Sequence, residues 1–265
     1  MPEVVKPQDV KLGKKLGVVK DRRTIQLGPL LDAASLPKIP ATWRFAKSLH
    51  YVPVFGNDRY GDCTFASHGH RIVAQELSTS QREKMVTESD VLKGYADVTG
   101  FDPNRPETDN GAYMLDVANY MRRTGIGREK DGSAHTISAF ALVDHTNLDE
   151  VKKACVLFGG VWCGAALPLS AQSQTGPGLT WDISGRNNRP GSWGGHAFTM
   201  IGYDTHGGLV YTWGNEQKFT WEWWLKYVDE VYALVSEDWF RKSGTTSRGF
   251  NVAQLQQYLS DLDAS

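Results

Sequence analysis

The stretch GDCTFASHGHRIVAQE, residues 61–76, sets one of the chain's three cysteines at the start of a predicted helix. Apolar side chains such as Phe65 and Ile72 fall on one face at helical spacing, and Asp62 suits the N-cap position. Because the free N–H groups and the dipole of a helix N-terminus stabilise an anion, the thiol of Cys63 is expected to ionise more readily than that of a free cysteine. A buried, unreactive cysteine would also fit at the start of a helix, so the position of Cys63 alone does not indicate a nucleophile.

A thiolate nucleophile needs a general base, and the chain has seven histidines. His68 and His70 share the helix with Cys63 but lie one to two turns further on, so neither is expected to reach the sulfur. They also face different sides of the helix and make a poor metal pair. His196 follows the glycine-rich segment 175–195 and opens a predicted strand, so a rigid element would present it beside a loop that admits substrate. The sequence therefore predicts a Cys63/His196 pair.

Five segments within residues 39–224 resemble, in the same order, those of the papain-like cysteine peptidases. They are Ile39-Pro40 with Trp43-Arg44, the segment 52–67 around the cysteine, Asn110-Gly111-Ala112-Tyr113, His196-Ala197 with Gly202-Tyr203, and Thr212-Trp213-Gly214. Each segment alone is only weakly specific for the family. The occurrence of all five in the family's order is fairly specific. The resemblance implies an α+β, two-lobed papain-like fold, in which a helical lobe is followed by an antiparallel β-rich lobe.

The resemblance also implies roles for individual residues. Asn57, six residues before Cys63, would take the place of the family's oxyanion-hole glutamine, with the backbone N–H of Cys63 as the second donor. Gly111 and Ala112 would align the substrate backbone as an added β-strand. Trp213 would shield the histidine.

The sequence departs from the family's pattern at three points. Asn57 is one methylene shorter than glutamine, and Thr64 stands where the family has a tryptophan. The asparagine that orients the family's histidine has no clear counterpart, and Tyr211, Thr212 and Asn215 are the candidates. Losing one oxyanion donor typically costs about 10²–10³ in kcat, so these departures bear directly on activity.

The function that the resemblance implies is a thiol-dependent hydrolase of peptide or isopeptide bonds. Cys63 would form an acyl-enzyme, and His196 would act as general base and then protonate the leaving group. Two alternatives stay open. One is a catalytically impaired fold that serves as a binding or structural module, and the other is an acyl transferase that uses the same Cys/His pair.

Changes in pattern divide the chain into three parts: an N-terminal arm (1–38), a catalytic domain (39–250) and a C-terminal helix or tail (251–265). Within the domain, helical periodicity dominates about 50–140 and strand signals dominate about 141–250. The basic, aromatic-poor arm is expected to lie near the cleft and to restrain access, and a partly mobile tail is the alternative.

Local signals predict the individual elements. Helices are expected at 63–76, after a capping box formed by Thr87 and Asp90, at 110–124, and after Asn147. Strands are expected at 161–167, 196–203, 209–213, 219–224 and 231–235, with Gly207-Gly208 as the turn of a hairpin.

Charge balance and cysteine content limit which kinds of partner and which cellular compartment are expected. The chain carries 29 Lys+Arg against 30 Asp+Glu, so neither nucleic acid nor an anionic membrane is expected as the main partner. Peptide or protein substrates are what the resemblance implies. Cys63, Cys155 and Cys163 form neither a disulfide framework nor a zinc motif, which predicts a cytoplasmic location. No motif in the sequence indicates a metal or a cofactor, so none is expected. The sequence leaves the oligomeric state open.

Overall fold

The computed structural model describes residues 15–21, 24–31, 38–44, 52–78, 86–127 and 132–236 of the chain. The predicted C-terminal helix at 251–265 lies outside the described residues, as does the start of the N-terminal arm. In the described part, no helix is long and apolar enough to cross a membrane.

Within the described residues, three α-helices form the first lobe: α1 (Cys63–Ser78), α2 (Glu88–Thr99) and α3 (Met114–Arg123). The predicted capping box is confirmed, because Thr87 and Asp90 exchange side-chain and backbone hydrogen bonds at the start of α2. Helix α3 begins four residues later than predicted. The chain before it is extended and passes through Gly111 at φ 81°, a conformation that a helix cannot include.

The second lobe is built on one mixed, mostly antiparallel sheet. Its strands are β1 (Trp43–Arg44), β2 (Ala139–Leu142), β3 (Val161–Leu167), β4 (Thr180–Trp181), β5 (Gly194–Tyr203), β6 (Gly207–Thr212), β7 (Asn215–Thr220) and β8 (Val228–Val235). The order across the sheet is β2-β8-β3-β5-β6-β7-β4, and β1 pairs with β5. Helix α4 (Leu148–Phe158) starts at the predicted Asn147 cap, and a short helix α5 (Trp221–Tyr227) follows β7. A helical lobe followed by a β-rich lobe is therefore confirmed.

Two local predictions are wrong. The strand expected at 219–224 ends at Thr220, whose side chain accepts a hydrogen bond from the Trp223 N–H and caps helix α5. The turn expected at Gly207-Gly208 lies earlier, where the Asp204 carboxylate accepts from the following N–H groups. Both glycines lie inside β6, where there is no room for a side chain: a Cβ at Gly207 would come 1.7 Å from the Phe219 carbonyl oxygen.

Helix α1 is buried along residues 63–76 because it packs between its own lobe and the sheet. Two hydrogen bonds of 2.7 Å fasten it there: Trp162 Nε1 donates to Ser67 Oγ, and Thr199 Oγ1 donates to the Ser67 carbonyl. Buried hydrogen bonds of this kind fix both position and rotation of the helix. The N-terminal tip of α1 is consequently held against β5, the strand that carries His196.

Candidate active site

The candidate nucleophile is the first residue of α1 and is buried. Burial raises the pKa of the Cys63 thiol to about 12, although the backbone N–H groups of Ala197 and Lys15 contact the sulfur and act in the opposite direction. The expectation of a readily ionised thiol is wrong for this structure, because desolvation outweighs the helix terminus. Since Ala197 follows His196 directly, the sulfur lies against the segment that carries the imidazole.

The candidate base is held from one side only. His196 Nε2 lies 2.7 Å from the hydroxyl oxygen of Thr212, whereas Nδ1 has no hydrogen-bond partner among the described residues. Burial, and then the charge of His70, lowers the imidazole pKa well below its usual value. A neutral ring that donates from Nε2 to Thr212 presents an unprotonated Nδ1, which is the form that a general base requires.

Of the three residues considered for orienting the histidine, Thr212 is the one in contact with it. The Tyr211 hydroxyl instead interacts with Arg44. Burial raises the Tyr211 pKa, and Arg44 acts in the opposite direction. The Asn215 amide donates to the Trp213 carbonyl within the turn between β6 and β7.

Trp213 covers the histidine. The two ring centroids are 3.8 Å apart and the ring planes differ by 13°, which is a parallel stack. The residue sits at φ 43°, an uncommon backbone conformation for a tryptophan. The indole thereby excludes water from one face of the His196 ring, at the cost of a strained turn.

The structure places Asn57 in the loop before the nucleophile with both amide hydrogens engaged. Its Nδ2 donates to Asp62 Oδ1 at 2.9 Å and to the Tyr60 carbonyl at 3.3 Å. Asp62 occupies the N-cap position through its backbone carbonyl, and burial raises the pKa of its carboxyl group well above the usual value. An oxyanion-hole role for Asn57 therefore requires one of its hydrogens to be released.

A buried network, missed from the sequence, joins the nucleophile loop to the Gly111 turn. The Gly61 N–H donates to both carboxylate oxygens of Asp109, at 2.9 and 3.2 Å. The Tyr95 hydroxyl donates to Asp109 Oδ1 and accepts from the Gly111 N–H, both at 2.8 Å. The sequence signal for this network is an aspartate directly before the Asn-Gly pair. Its partner Tyr95 lies 14 residues earlier, on α2, so local spacing does not connect the two.

The N-terminal arm crosses the cleft between the two lobes. The Lys15 N–H donates to the Gly195 carbonyl at 3.2 Å, and the Leu16 N–H donates to the Ala112 carbonyl at 3.1 Å. A Cβ at Gly195 would lie 2.0 Å from the Lys15 carbonyl oxygen, so this approach requires glycine. The arm thus occupies the strand position that the resemblance reserves for substrate at Ala112.

The two helix histidines lie in separate surroundings. His68 packs on Trp162 with ring centroids 4.3 Å apart, and a ring nitrogen of His70 lies 2.6 Å from the Pro53 carbonyl oxygen. Among the described residues, no group of three His, Cys, Asp or Glu side chains is arranged to hold a metal ion.

The fold is that of the papain-like cysteine proteases. Similar solved structures include xylellain, a cysteine protease from Xylella fastidiosa, at 13% identity, with 86% of this chain and 97% of that chain covered and a TM-score of 0.66. Digestive procathepsin L2 proteinase from Tenebrio molitor larval midgut is similar at 14% identity, with coverage of 89% and 80% and a TM-score of 0.58. No family model and no curated protein matches the sequence.

A third similar structure contains the cysteine protease and lectin-like domains of a surface layer associated protein of Clostridium difficile. It is 12% identical, with 85% of this chain and 56% of that chain covered and a TM-score of 0.57. At such identities the three likenesses describe the fold, so activity has to be argued from the site itself.

Proposed function

We propose that this protein is a thiol-dependent hydrolase of peptide or isopeptide bonds. The observation that carries the proposal is the orientation of His196, whose Nε2 is held by Thr212 while Nδ1 has no hydrogen-bond partner among the described residues. The interaction of the Ala197 N–H with the sulfur supports it, because Ala197 directly follows His196 in the chain. A nucleophile, a base and a group orienting the base are the parts that this chemistry needs.

In the proposed reaction, Nδ1 of His196 takes the thiol proton as the sulfur attacks the substrate carbonyl carbon. The resulting oxyanion is stabilised by the backbone N–H of Cys63 and by the Asn57 amide once it is released from Asp62. The imidazolium then gives its proton to the leaving amine as the C–N bond breaks, which leaves an acyl-enzyme. Water, deprotonated by the same imidazole, hydrolyses the thioester.

We propose in addition that the arm holds the enzyme in a restrained form. Residues 15–16 take hydrogen-bonding positions on both sides of the cleft, where a substrate backbone would have to lie. The same coverage leaves Cys63 as a neutral thiol and His196 as a neutral imidazole, since burial disfavours the charged form of each. Displacing the arm admits water and substrate together.

One observation favours a second candidate function, a binding or structural module that does not hydrolyse. Both amide hydrogens of Asn57 are bonded to Tyr60 and Asp62. Of the two oxyanion donors that the resemblance names, this leaves the Cys63 N–H. Acyl transfer to an amine is a variant of the first proposal, because it uses the same acyl-enzyme and differs in the acceptor.

The test uses the full chain with Lys15→Glu, which repels the arm from the carboxylates of Asp229 and Glu230 that Lys15 contacts. We expect it to cleave fluorogenic peptides, and we expect the double variant with Cys63→Ala to be inactive. Absence of turnover with peptide amides and esters, in a variant whose circular dichroism is unchanged, would overturn the proposal in favour of the module. Mass spectrometry of products formed with an added amine separates transfer from hydrolysis.

Compartment and partners complete the proposal. Cys63, Cys155 and Cys163 are free and buried, and free thiols suit a reducing compartment, so we place the enzyme in the cytoplasm. Its partners are proposed to be peptides or proteins rather than nucleic acid or membrane, in keeping with the nearly balanced charge of the chain.

A further inference from the structure

The side chain of Lys15 leaves the cleft and enters the protein. It is 1% exposed, and its Nζ lies 2.9 Å from Asp229 Oδ1 and 3.4 Å from Glu230 Oε1. Glu230 is itself 1% exposed, whereas Asp229 is 34% exposed. A lysine is seldom buried to this extent unless its charge is paired, so the two carboxylates at the start of β8 are what make this position acceptable.

The channel followed by the Lys15 stem is formed by both lobes. A Cβ at Gly164 would come 2.2 Å from Lys15 Cε and 2.7 Å from Met114 Sδ. Gly164 lies on β3 opposite Glu230 on β8, and Met114 begins α3 in the helical lobe. Glycine therefore opens a narrow apolar passage that ends at carboxylates, a shape suited to a long aliphatic stem with a cationic head.

The floor of the channel is arranged for a cation. Tyr232 Oη donates to Glu230 Oε2 at 3.0 Å, which supports one carboxylate oxygen while the other faces Lys15. Burial raises the pKa of Glu230, and the ammonium group of Lys15 is the first of the influences that lower it. Removing Lys15 would leave a buried carboxylate next to a second one without this cation, which is a costly arrangement.

We propose that this channel is a substrate subsite, and that after the arm is displaced it takes a lysine or arginine side chain close to the scissile bond. The inference rests on the proposed function for its catalytic meaning. The arm's own lysine stands in for the substrate side chain, because its backbone is already held at Gly195 beside the catalytic histidine. The substrate class is accordingly a peptide or protein with a basic residue at the position that pairs with Ala112.

The first experiment measures binding, so that it does not depend on turnover. Labelled peptides that differ at one position (lysine, arginine, norleucine, leucine or glutamate) are titrated into the full chain carrying Lys15→Glu and Cys63→Ala. We expect the lysine and arginine peptides to bind at least about tenfold more tightly than the norleucine peptide, which has a similar stem without charge. Adding Glu230→Gln is expected to remove the preference and to leave norleucine binding within about twofold.

Equal or tighter binding of the norleucine or leucine peptide would overturn the subsite, whatever the catalytic result. Should Lys15→Glu lower Tm markedly, Lys15→Ala in the same background serves the same comparison. Asp229→Asn is the matched control, and it is expected to weaken the preference less than Glu230→Gln because Asp229 is the more exposed carboxylate.

The second experiment repeats the peptide series for cleavage with Cys63 intact. A preference for basic peptides in kcat/KM supports both proposals. Selective binding without cleavage rejects the hydrolase and keeps the subsite, whereas cleavage without a basic preference rejects the subsite and keeps the hydrolase.

Discussion

Cys63 and Cys155 are both buried thiols on helices, yet their surroundings act differently on the sulfur. Burial raises the pKa of both, and for Cys155 no opposing influence acts. At Cys63 the N–H groups of Ala197 and Lys15 contact the sulfur. The difference teaches that the backbone groups around a buried thiol, and not its burial, set Cys63 apart from Cys155; under our proposal, displacing the arm lets water reach the Cys63 sulfur.

The sharpest way to break this comparison is to remove each thiol in turn in the Lys15→Glu chain. Cys63→Ala is expected to lower kcat/KM by at least about 10⁴-fold, as loss of a covalent nucleophile does. Cys155→Ala is expected to leave kcat/KM within about threefold, since it removes a core sulfur and acts mainly on stability. A fluorogenic peptide assay checks both, and similar losses for the two variants would contradict the assignment.

Alkylation with iodoacetamide as a function of pH tests the role of the arm. A raised thiol pKa lowers the thiolate fraction below that pKa, so the unmodified chain should react slowly at pH 8. Opening the arm with Lys15→Glu should return the Cys63 pKa towards its ordinary value and raise its rate about 10²–10³-fold. Peptide mapping should show Cys155 and Cys163 unmodified in both chains, and equal labelling of all three would count against the arm's role.

A change at Thr212 tests whether its hydroxyl positions the candidate general base, His196, for reaction with Cys63. Thr212→Val keeps the shape but removes the hydroxyl that holds His196 Nε2, so kcat is expected to fall about tenfold or more, as part of the roughly 10²–10⁴-fold contribution of a general base. Thr212→Ser keeps the hydroxyl and should restore most of the rate. The pH profile of kcat/KM distinguishes a positioning effect from misfolding, and an unchanged kcat in the valine variant would remove Thr212 from the site.

Tyr95 gives the smallest expected effect. Tyr95→Phe removes the hydroxyl that links the Gly111 N–H to Asp109, and we expect a loss of about 1–3 kcal/mol in the free energy of unfolding because both groups remain buried. Thermal unfolding measures it. Tyr120→Phe is the control, since Tyr120 bonds to Asp97 nearer the surface, and an equal loss in that variant would show that the buried network carries no special weight.

How far sequence reasoning reached is clearest at particular residues. The start of α1 at Cys63 and the caps at Thr87 and Asn147 follow from local signals, because capping involves residues only a few positions apart. The strand expected at 219–224 failed because its tryptophans have high β-propensity, while the deciding cap is one threonine. The partner of His196 stayed open among three residues, because the register between its strand and the next depends on the hairpin turn, which the sequence places at Gly207-Gly208 and the structure places earlier, at Asp204.

The sequence by itself determined most of the helices and strands, the candidate cysteine and histidine, and a basic arm ahead of them, since these depend on local periodicity and on a resemblance that spans residues 39–224. Only the tertiary structure decided that burial raises the pKa of the Cys63 thiol, that Thr212 holds the imidazole, and that Lys15 lies on Asp229 and Glu230. Each of these depends on groups tens to hundreds of residues apart, and their desolvation and pairing have no counterpart in local sequence.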